Sequence, residues 1–328
     1  MQAIQVINND EQNTLEIGTV PDPEFSAKTI RVKIKATALN RADLLQRTGN
    51  YPPPKGASEI LGLEMAGIVE KVGNEVTKWN LGDRVFGLLA GGGYAEYCTI
   101  HEDMAMEIPE NLPFDKAAAI PETFLTAFQA LDWLGKLQEK ETVLIHAAGS
   151  GVGTSAIQLA HHLYDAQIIA TAGKQHKLDA AKELGANFAY NYKQQNYAEE
   201  IISDVGPDSV DVVVDFIGKP YWHKNMEVMA MDGRVVYLSF LGGHKIEELS
   251  LIPILRKRLS IMGSTLRNRS EQYKIDLTKD FAQKALSLFR TGTLSPVIDS
   301  TFDWTDTEQA HQRMQNNKNT GKIVLTGM

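Results

Sequence analysis

The chain has 328 residues, 43% of them hydrophobic and 23% charged, with a formal net charge of −8 at pH 7. That length is long for a single core and favours two domains. No uninterrupted apolar run approaches the ~20 residues of a membrane span, and the acidic balance argues against general affinity for nucleic acid or anionic lipid. A single cysteine, Cys98, excludes an intramolecular disulfide and a multi-cysteine zinc site. The N-terminus is neither basic nor followed by a cleavable apolar segment, so the cytoplasm is the expected compartment.

Residues 1–120 read as β-rich. Segments 30–36 and 67–72 have strand character, and Gly73-Asn74 and Gly82-Asp83 supply turn chemistry. Cys98 lies in an alternating stretch and reads as packing, because no neighbour would depress its pKa. From 121 the pattern changes to helices alternating with strands: a helix over 123–133, then strands at 143–145, 167–171, 211–215, 233–239 and 259–264. Such alternation predicts a doubly wound parallel sheet covered on both faces by helices. Helices over 279–289 and 307–317 and a strand at 322–325 complete the chain. The basic run Arg256-Lys257-Arg258 reads as a solvated turn before a strand, and His146, which ends the 143–145 strand, as a satisfied structural residue.

The most informative segment follows that strand. Ala148, Gly149, Ser150, Gly151, Val152 and Gly153 form a small-residue loop leading into an amphipathic helix, the pattern of a dinucleotide-phosphate cradle. Small residues let the backbone approach a pyrophosphate, and the helix N-terminus offers free N–H groups with a partial positive charge. An NAD-binding fold places an Asp or Glu about 20 residues further on to hold the ribose 2′-hydroxyl. Here that strand runs into Ala172-Gly173-Lys174, with Lys177 one turn on and Gly185 as the C′ residue of the next helix. A carboxylate would repel a 2′-phosphate, and its absence beside a lysine favours NADP(H).

The string GLEMAGIVEKVG from Gly62 to Gly73, followed by Gly82-Asp83-Arg84-Val85, resembles the signature of the medium-chain dehydrogenase/reductase superfamily. More narrowly, NRADLLQRTGNYPPP from Asn40 to Pro54, AIPETFLTAF from Ala119 to Phe128 and NTGKIV from Asn319 to Val324 resemble the zinc-free, zeta-crystallin-like NADPH:quinone oxidoreductases. The resemblance runs from end to end. It implies a GroES-like β-barrel catalytic domain built from residues 1–120 and 266–328, with a Rossmann NADP-binding domain, 121–265, inserted between them and commonly paired edge to edge in a homodimer. Zinc-dependent alcohol dehydrogenases carry a ligand Cys where this chain has Asn40, and Gly-His-Glu where it has Gly62-Leu63-Glu64. Neither replacement ligates zinc well, so no metal is expected.

The resemblance also implies cofactor contacts at Thr126, Tyr192, Phe240, Leu241, Gly242, Gly243, Ser264, Thr265, Leu266 and Asn319, besides the glycine loop and the contacts at Gly173 and Lys177 read above; Gly218, after the 211–215 strand, permits close backbone approach as well. Without metal, the expected chemistry is direct hydride transfer to an electrophile needing little activation, and a small ortho- or para-quinone fits. Asn40 and Tyr51 are the candidate catalytic residues. The Asn40 amide could bond a carbonyl oxygen or instead cap the helix after it, and the Tyr51 phenol could donate to the product or anchor its loop. Two other readings stay open: an enone or alkenal double-bond reductase, and a nucleotide-binding structural or RNA-binding protein, against which the acidic charge weighs.

Overall fold

The computed structural model describes residues 1–8 and 13–328. It divides into two compact units, Met1–Leu125 with Leu266–Met328, and Thr126–Thr265.

The first unit opens with an antiparallel ribbon, β1 (Gln2–Asn8) with β2 (Asn13–Thr19). Its longest strand, β3 (Thr29–Ala38), buries Ile30, Val32 and Ile34 at period two, so one face supplies core and the other meets solvent. Each such side chain contributes roughly 1.5–3 kcal/mol on burial. Helix α1 (Arg41–Arg47) begins at Asn40, and β4 (Glu64–Val72), β5 (Arg84–Leu88), β6 (Tyr97–His101) and β7 (Ala105–Glu107) extend the sheet. Cys98 is buried in this core, and burial pushes its thiol pKa up, away from reactivity. Two short helices follow, α2 (Phe114–Ala118) and α3 (Pro121–Phe128), and the division between units falls inside α3.

The second unit continues α3 through a π-helical turn, Gln129–Leu134. Strands β8 (Thr142–Ile145), β9 (Gln167–Ala172), β10 (Phe188–Asn191), β11 (Val210–Asp215), β12 (Met229–Tyr237) and β13 (Ser260–Gly263) alternate with α4 (Gly151–Tyr164), α5 (Gln175–Glu183), α6 (Tyr197–Asp204), α7 (Trp222–Val228) and α8 (Ile252–Lys257). All five pairings are parallel, in the order β10-β9-β8-β11-β12-β13. This is the doubly wound arrangement, and the order reverses between β8 and β11, where such sheets bind ligands at their carboxyl ends. The central strands read as unbroken apolar runs, as in Val212, Val213 and Val214, because helices cover both faces. The basic run differs from the sequence reading. Arg256 and Lys257 close α8, and Lys257 is bound rather than solvated: its Nζ donates to the carbonyls of Met226 at 2.9 Å and Met229 at 2.8 Å.

The chain then completes the first unit with α9 (Glu271–Thr291), β14 (Ile298–Asp303), α10 (Thr307–Gln315) and β15 (Lys322–Thr326). Strand β15 pairs antiparallel with β3, closing the sheet order β14-β15-β3-β4-β5-β7, with β6 also on β3. That pairing brings the residues around 322 beside those around 39. Among the described residues, no helix is long and apolar enough to cross a membrane.

Candidate active site

In the second unit, nearly every residue singled out in the sequence falls just past the carboxyl end of a strand. The loop Ala148 to Gly153 follows β8, Gly173 follows β9, Tyr192 follows β10, Gly218 follows β11, Phe240 to Gly243 follow β12, and Ser264 and Thr265 follow β13. Ser150 is the N-cap of α4, where its Oγ accepts the Gly153 N–H at 3.0 Å; its own proton is left for an acceptor. Ala147 is held at φ 50, a left-handed conformation that costs a non-glycine residue energy and that clusters at ligand loops. Gly153 lets the helix sit on this loop, since a Cβ there would lie 2.5 Å from the Ala147 carbonyl oxygen. Gly149 lies under Lys177: an added Cβ would meet its side-chain carbons at 2.6–2.8 Å. The lysine stem therefore crosses the loop between β8 and α4.

Gly173 lies in a similar close contact. A Cβ there would fall 2.7 Å from Tyr192 Oη and 3.0 Å from Lys193 Cε. The parallel pairing of Asn191 with Ala172 places these two strand ends side by side. Lys193 went unused in the sequence reading, although its position next to Tyr192 was the available signal.

Beneath the strand ends lies a buried polar network. His146 accepts from Thr171 through Nδ1 and donates through Nε2 to Asn225 Oδ1, both at 2.8 Å. Burial lowers its pKa, so the ring stays neutral, as its structural reading requires. Asn225 donates to Asp215 Oδ2 at 2.9 Å and accepts from Tyr197 at 2.9 Å. Asp215 Oδ1 takes the N–H of Ile217 at 2.5 Å and of Gly218 at 3.1 Å, fixing the turn in which Gly218 has φ 82. The loops after β11 and β12 are laced together by Leu241 N–H to Phe216 and Gly242 N–H to Ile217, leaving Phe240 and Leu241 half-exposed. Ser264 Oγ bonds Gln129 in the π-helical turn, at 3.1 Å. The Thr126 hydroxyl is buried without a hydrogen-bond partner, an orphan that a bound ligand would satisfy.

The first unit holds a second buried cluster. Lys322 Nζ directs its three hydrogens to Leu39 O at 2.7 Å, Asn40 Oδ1 at 2.6 Å and Glu64 Oε1 at 2.6 Å. Glu64, fully buried, also accepts from Asn40 Nδ2 at 2.8 Å and, through Oε2, from the Glu122 backbone N–H at 2.9 Å. The Asn40 amide is thus engaged on both sides within the protein. Asn40 is the N-cap residue of α1 in a capping box with Asp43, whose Oδ2 accepts the Asn40 N–H at 2.7 Å. Asp43 is raised to about 6, chiefly by desolvation and against the pull of two backbone N–H groups. Tyr94 Oη lies 3.4 Å from Asp43 and 3.2 Å from His311 Nε2, and burial holds His311 down to about 3, so it is neutral.

Tyr51 is half-buried beside Arg267. That guanidinium sits 5.4 Å from the ring centre and bonds Ala90 O at 2.8 Å and Gln46 Oε1 at 2.7 Å. Leu266 is buried, and Asn319 Nδ2 turns back to Gly321 O at 2.8 Å.

Comparison with known proteins accords with this geometry. Residues 26–110 match the model of the alcohol dehydrogenase GroES-like domain, and residues 151–288 that of the zinc-binding dehydrogenase. The chain is 31% identical to the quinone oxidoreductase-like protein 2 of Bos taurus over 90% of its own length and 84% of that protein. It is 29% identical to a synaptic vesicle membrane protein VAT-1 homolog of Danio rerio, of whose length it spans 65%. The solved Escherichia coli quinone oxidoreductase complexed with NADPH superposes with a TM-score of 0.87 at 26% identity, over 100% of both chains. The CurK enoyl reductase superposes with a TM-score of 0.85 at 28% identity, over 99% of this chain and 98% of that one. Fold and comparisons together define the class, a two-unit medium-chain dehydrogenase/reductase. Within that class, the chain belongs to the zeta-crystallin-like quinone oxidoreductase family.

The zinc in one family model's description does not fit the residues here. Leu63 offers only hydrocarbon, the Asn40 amide is committed, and the Lys322 ammonium takes the Glu64 oxygen that a cation would need.

Proposed function

We propose that the protein is an NADPH-dependent quinone reductase that passes a hydride directly to a small ortho- or para-quinone. The observation that carries the cofactor choice is the end of β9. Gly173 is covered there by Tyr192 Oη and Lys193, in the place where an NAD-binding fold sets an acid. The reduced nicotinamide supplies the hydride. The protein's loop, Ser150 and the lysines at 177 and 193 hold the phosphates, and the Thr126 hydroxyl finds its partner on the nicotinamide side. With no Lewis acid at Glu64, the acceptor must need little activation, and a quinone becomes an aromatic anion on hydride addition. The test is titration with NADPH and NADH separately, followed by 1,2-naphthoquinone and 1,4-benzoquinone while reduced nicotinamide absorbance is followed. Tighter NADPH binding with quinone-dependent consumption supports the reading, and failure of NADPH to bind rejects it.

The likeness to an enoyl reductase favours a second reading, reduction of an activated double bond, in which a proton must reach the α-carbon. Turnover of an alkenal that disappears in Tyr51→Phe, with quinone turnover retained, would select it.

We infer further that the protein is a homodimer joined through the second unit. Among the described residues β13 is an edge strand paired only with β12, and just before it in the chain Leu251, Ile252 and Leu255 are exposed, Leu255 at 82%. An unprotected edge next to a large apolar patch invites a second copy. Ile252→Glu with Leu255→Glu is expected to shift the sedimentation coefficient from dimer to monomer while leaving the fold intact; an unchanged coefficient would reject this interface.

A further inference from the structure

We propose that Asp215 is the positioning residue for the nicotinamide half of the dinucleotide site, an inference that rests on the cofactor reading above and stays within the second unit. A doubly wound sheet binds a dinucleotide across its switch point, one mononucleotide to each half. The half formed by β8, β9 and β10 carries Gly173 with Tyr192 and Lys193, the corner proposed for the 2′-phosphate. The nicotinamide mononucleotide therefore falls to β11, β12 and β13, and whatever fixes the loops after those strands fixes its place.

Asp215 ends β11 and is fully buried. Its charge is met by three N–H donors: those of Ile217 and Gly218 on Oδ1, at 2.5 and 3.1 Å, and the Asn225 amide on Oδ2 at 2.9 Å. The turn so held is one that glycine alone takes readily. Gly218 has φ 82 and ψ −120, and a Cβ there would lie 2.6 Å from Phe240 Cδ1 and 2.7 Å from the Gly243 carbonyl oxygen. That closeness passes the constraint on. The Lys219 N–H bonds Gly243 O at 2.9 Å, the Leu241 N–H bonds Phe216 O at 2.9 Å and the Gly242 N–H bonds Ile217 O at 2.8 Å. One carboxylate thus sets both loops, the one after β11 and the one after β12.

Asp215 is itself aimed. Thr171 Oγ donates to His146 Nδ1, His146 Nε2 donates to Asn225 Oδ1 and Asn225 Nδ2 donates to Asp215 Oδ2, so every donor in the chain points toward the carboxylate and polarises the next. Tyr197 Oη adds a second donor to Asn225 Oδ1, at 2.9 Å. His146, Asn225 and Asp215 are all fully buried, and the Tyr221 ring lies 4.6 Å from that of His146, which shields the chain from solvent. The far end of the chain is Thr171 on β9, so Asp215 is referred to the strand that leads to Gly173. A carboxylate suits this place because it accepts on both oxygens at once. An amide would present an N–H either to the turn or to Asn225, where a donor already stands.

The test is calorimetric titration of the whole protein with NADPH and, separately, with adenosine 2′,5′-bisphosphate, which carries the adenosine side of the cofactor and nothing of the nicotinamide. Asp215→Ala is expected to weaken NADPH by roughly tenfold or more, since both loops must then be ordered on binding. The bisphosphate should stay within about twofold of wild type, because its corner lies on β9 and β10. Asp215→Asn keeps the side-chain volume should the alanine variant fail to fold, and it should weaken NADPH by a smaller factor, about threefold, again sparing the bisphosphate. NADPH binding unchanged in Asp215→Asn and Asp215→Ala would show that the turn does not need the carboxylate and would overturn the proposal. Equal losses of both ligands would overturn it too, because the network would then only hold the sheet together. A wild type that binds neither ligand removes the cofactor reading, and the proposal with it, whereas a wild type that binds both leaves the contrast between the variants to decide on Asp215 alone.

Discussion

Lys322→Met is expected to destabilise the first unit by about 3–5 kcal/mol, the cost of breaking a buried pair from one side. The reason is topological as much as electrostatic. The ammonium on β15 joins the carbonyl of Leu39 at the end of β3, the Asn40 side chain at the start of α1 and Glu64 at the start of β4. Through Glu64 the same contact reaches the N-terminus of α3. Removing the cation leaves Glu64 with no counter-charge among residues that are almost wholly dry, and it strands two further acceptors. Thermal denaturation should show a fall in midpoint on the order of 10 °C for a unit of this size. Lys322→Met combined with Glu64→Gln should recover much of the loss, because the charge and its partner leave together. A single variant as stable as the wild type would show that this pair does not anchor the unit.

The pH dependence of stability carries an independent expectation with the opposite sign from ordinary acid denaturation. Asp43, at about 6, and Glu122, at about 8, both lie above the values of an unfolded chain. Between those limits the folded state binds more protons, so their contribution is fully present below pH 4 and is lost as pH rises through about 6 and then about 8. Glu122→Gln should flatten the upper part of that loss. At pH 9 the variant should melt above the wild type, by an amount on the order of a few kcal/mol. A variant that melts lower at pH 9 would show that the carboxylate is better accommodated than its buried, unpartnered oxygen indicates.

These two clusters differ sharply in how far the sequence announced them. The strand, small-residue loop and helix from β8 to α4 were legible because everything they need is local: a short apolar strand, small residues where backbone must come close, and a helix with an apolar stripe at its own period. The missing acid after β9 was legible for the same reason. The Lys322 cluster was not, because its members are 24, 258 and 282 positions apart and meet only when β15 pairs with β3 and β4 follows. Asn40 shows the consequence. Its place before α1 suggested the cap it forms, but nothing local revealed that its amide also bonds Glu64 and Lys322. Glu122 stood inside a quoted motif but reads there as one more acid in the first turn of a helix; only burial and the neighbouring carboxyl make it unusual. Lys257, likewise, was taken for solvent-facing because nothing local reveals the carbonyls it reaches.

Lys193→Ala is expected to weaken NADPH binding by about tenfold and leave NADH almost unchanged, whereas Lys177→Ala should weaken both. The difference follows from where each stem lies. Lys177 crosses Gly149 in the loop proposed to hold the pyrophosphate, a group both nucleotides carry. Lys193 and Tyr192 cover Gly173, the place proposed for the phosphate that only NADPH carries, and one ammonium-phosphate contact is worth about 1–2 kcal/mol at a partly exposed site. Increasing salt should erode the NADPH preference of the wild type more than that of Lys193→Ala, because the interaction lost is between exposed charges. The same packing explains why the chain cannot simply be converted to NADH by an acid at 173. The Cβ of Gly173→Asp would fall 2.7 Å from Tyr192 Oη, so the substitution must displace the tyrosine before its carboxylate can reach a ribose. Gly173→Asp alone should therefore lose NADPH without gaining NADH, and Gly173→Asp with Tyr192→Ala should gain it. Equal losses of both nucleotides in Lys193→Ala would place that lysine on the pyrophosphate and remove the basis for the cofactor preference.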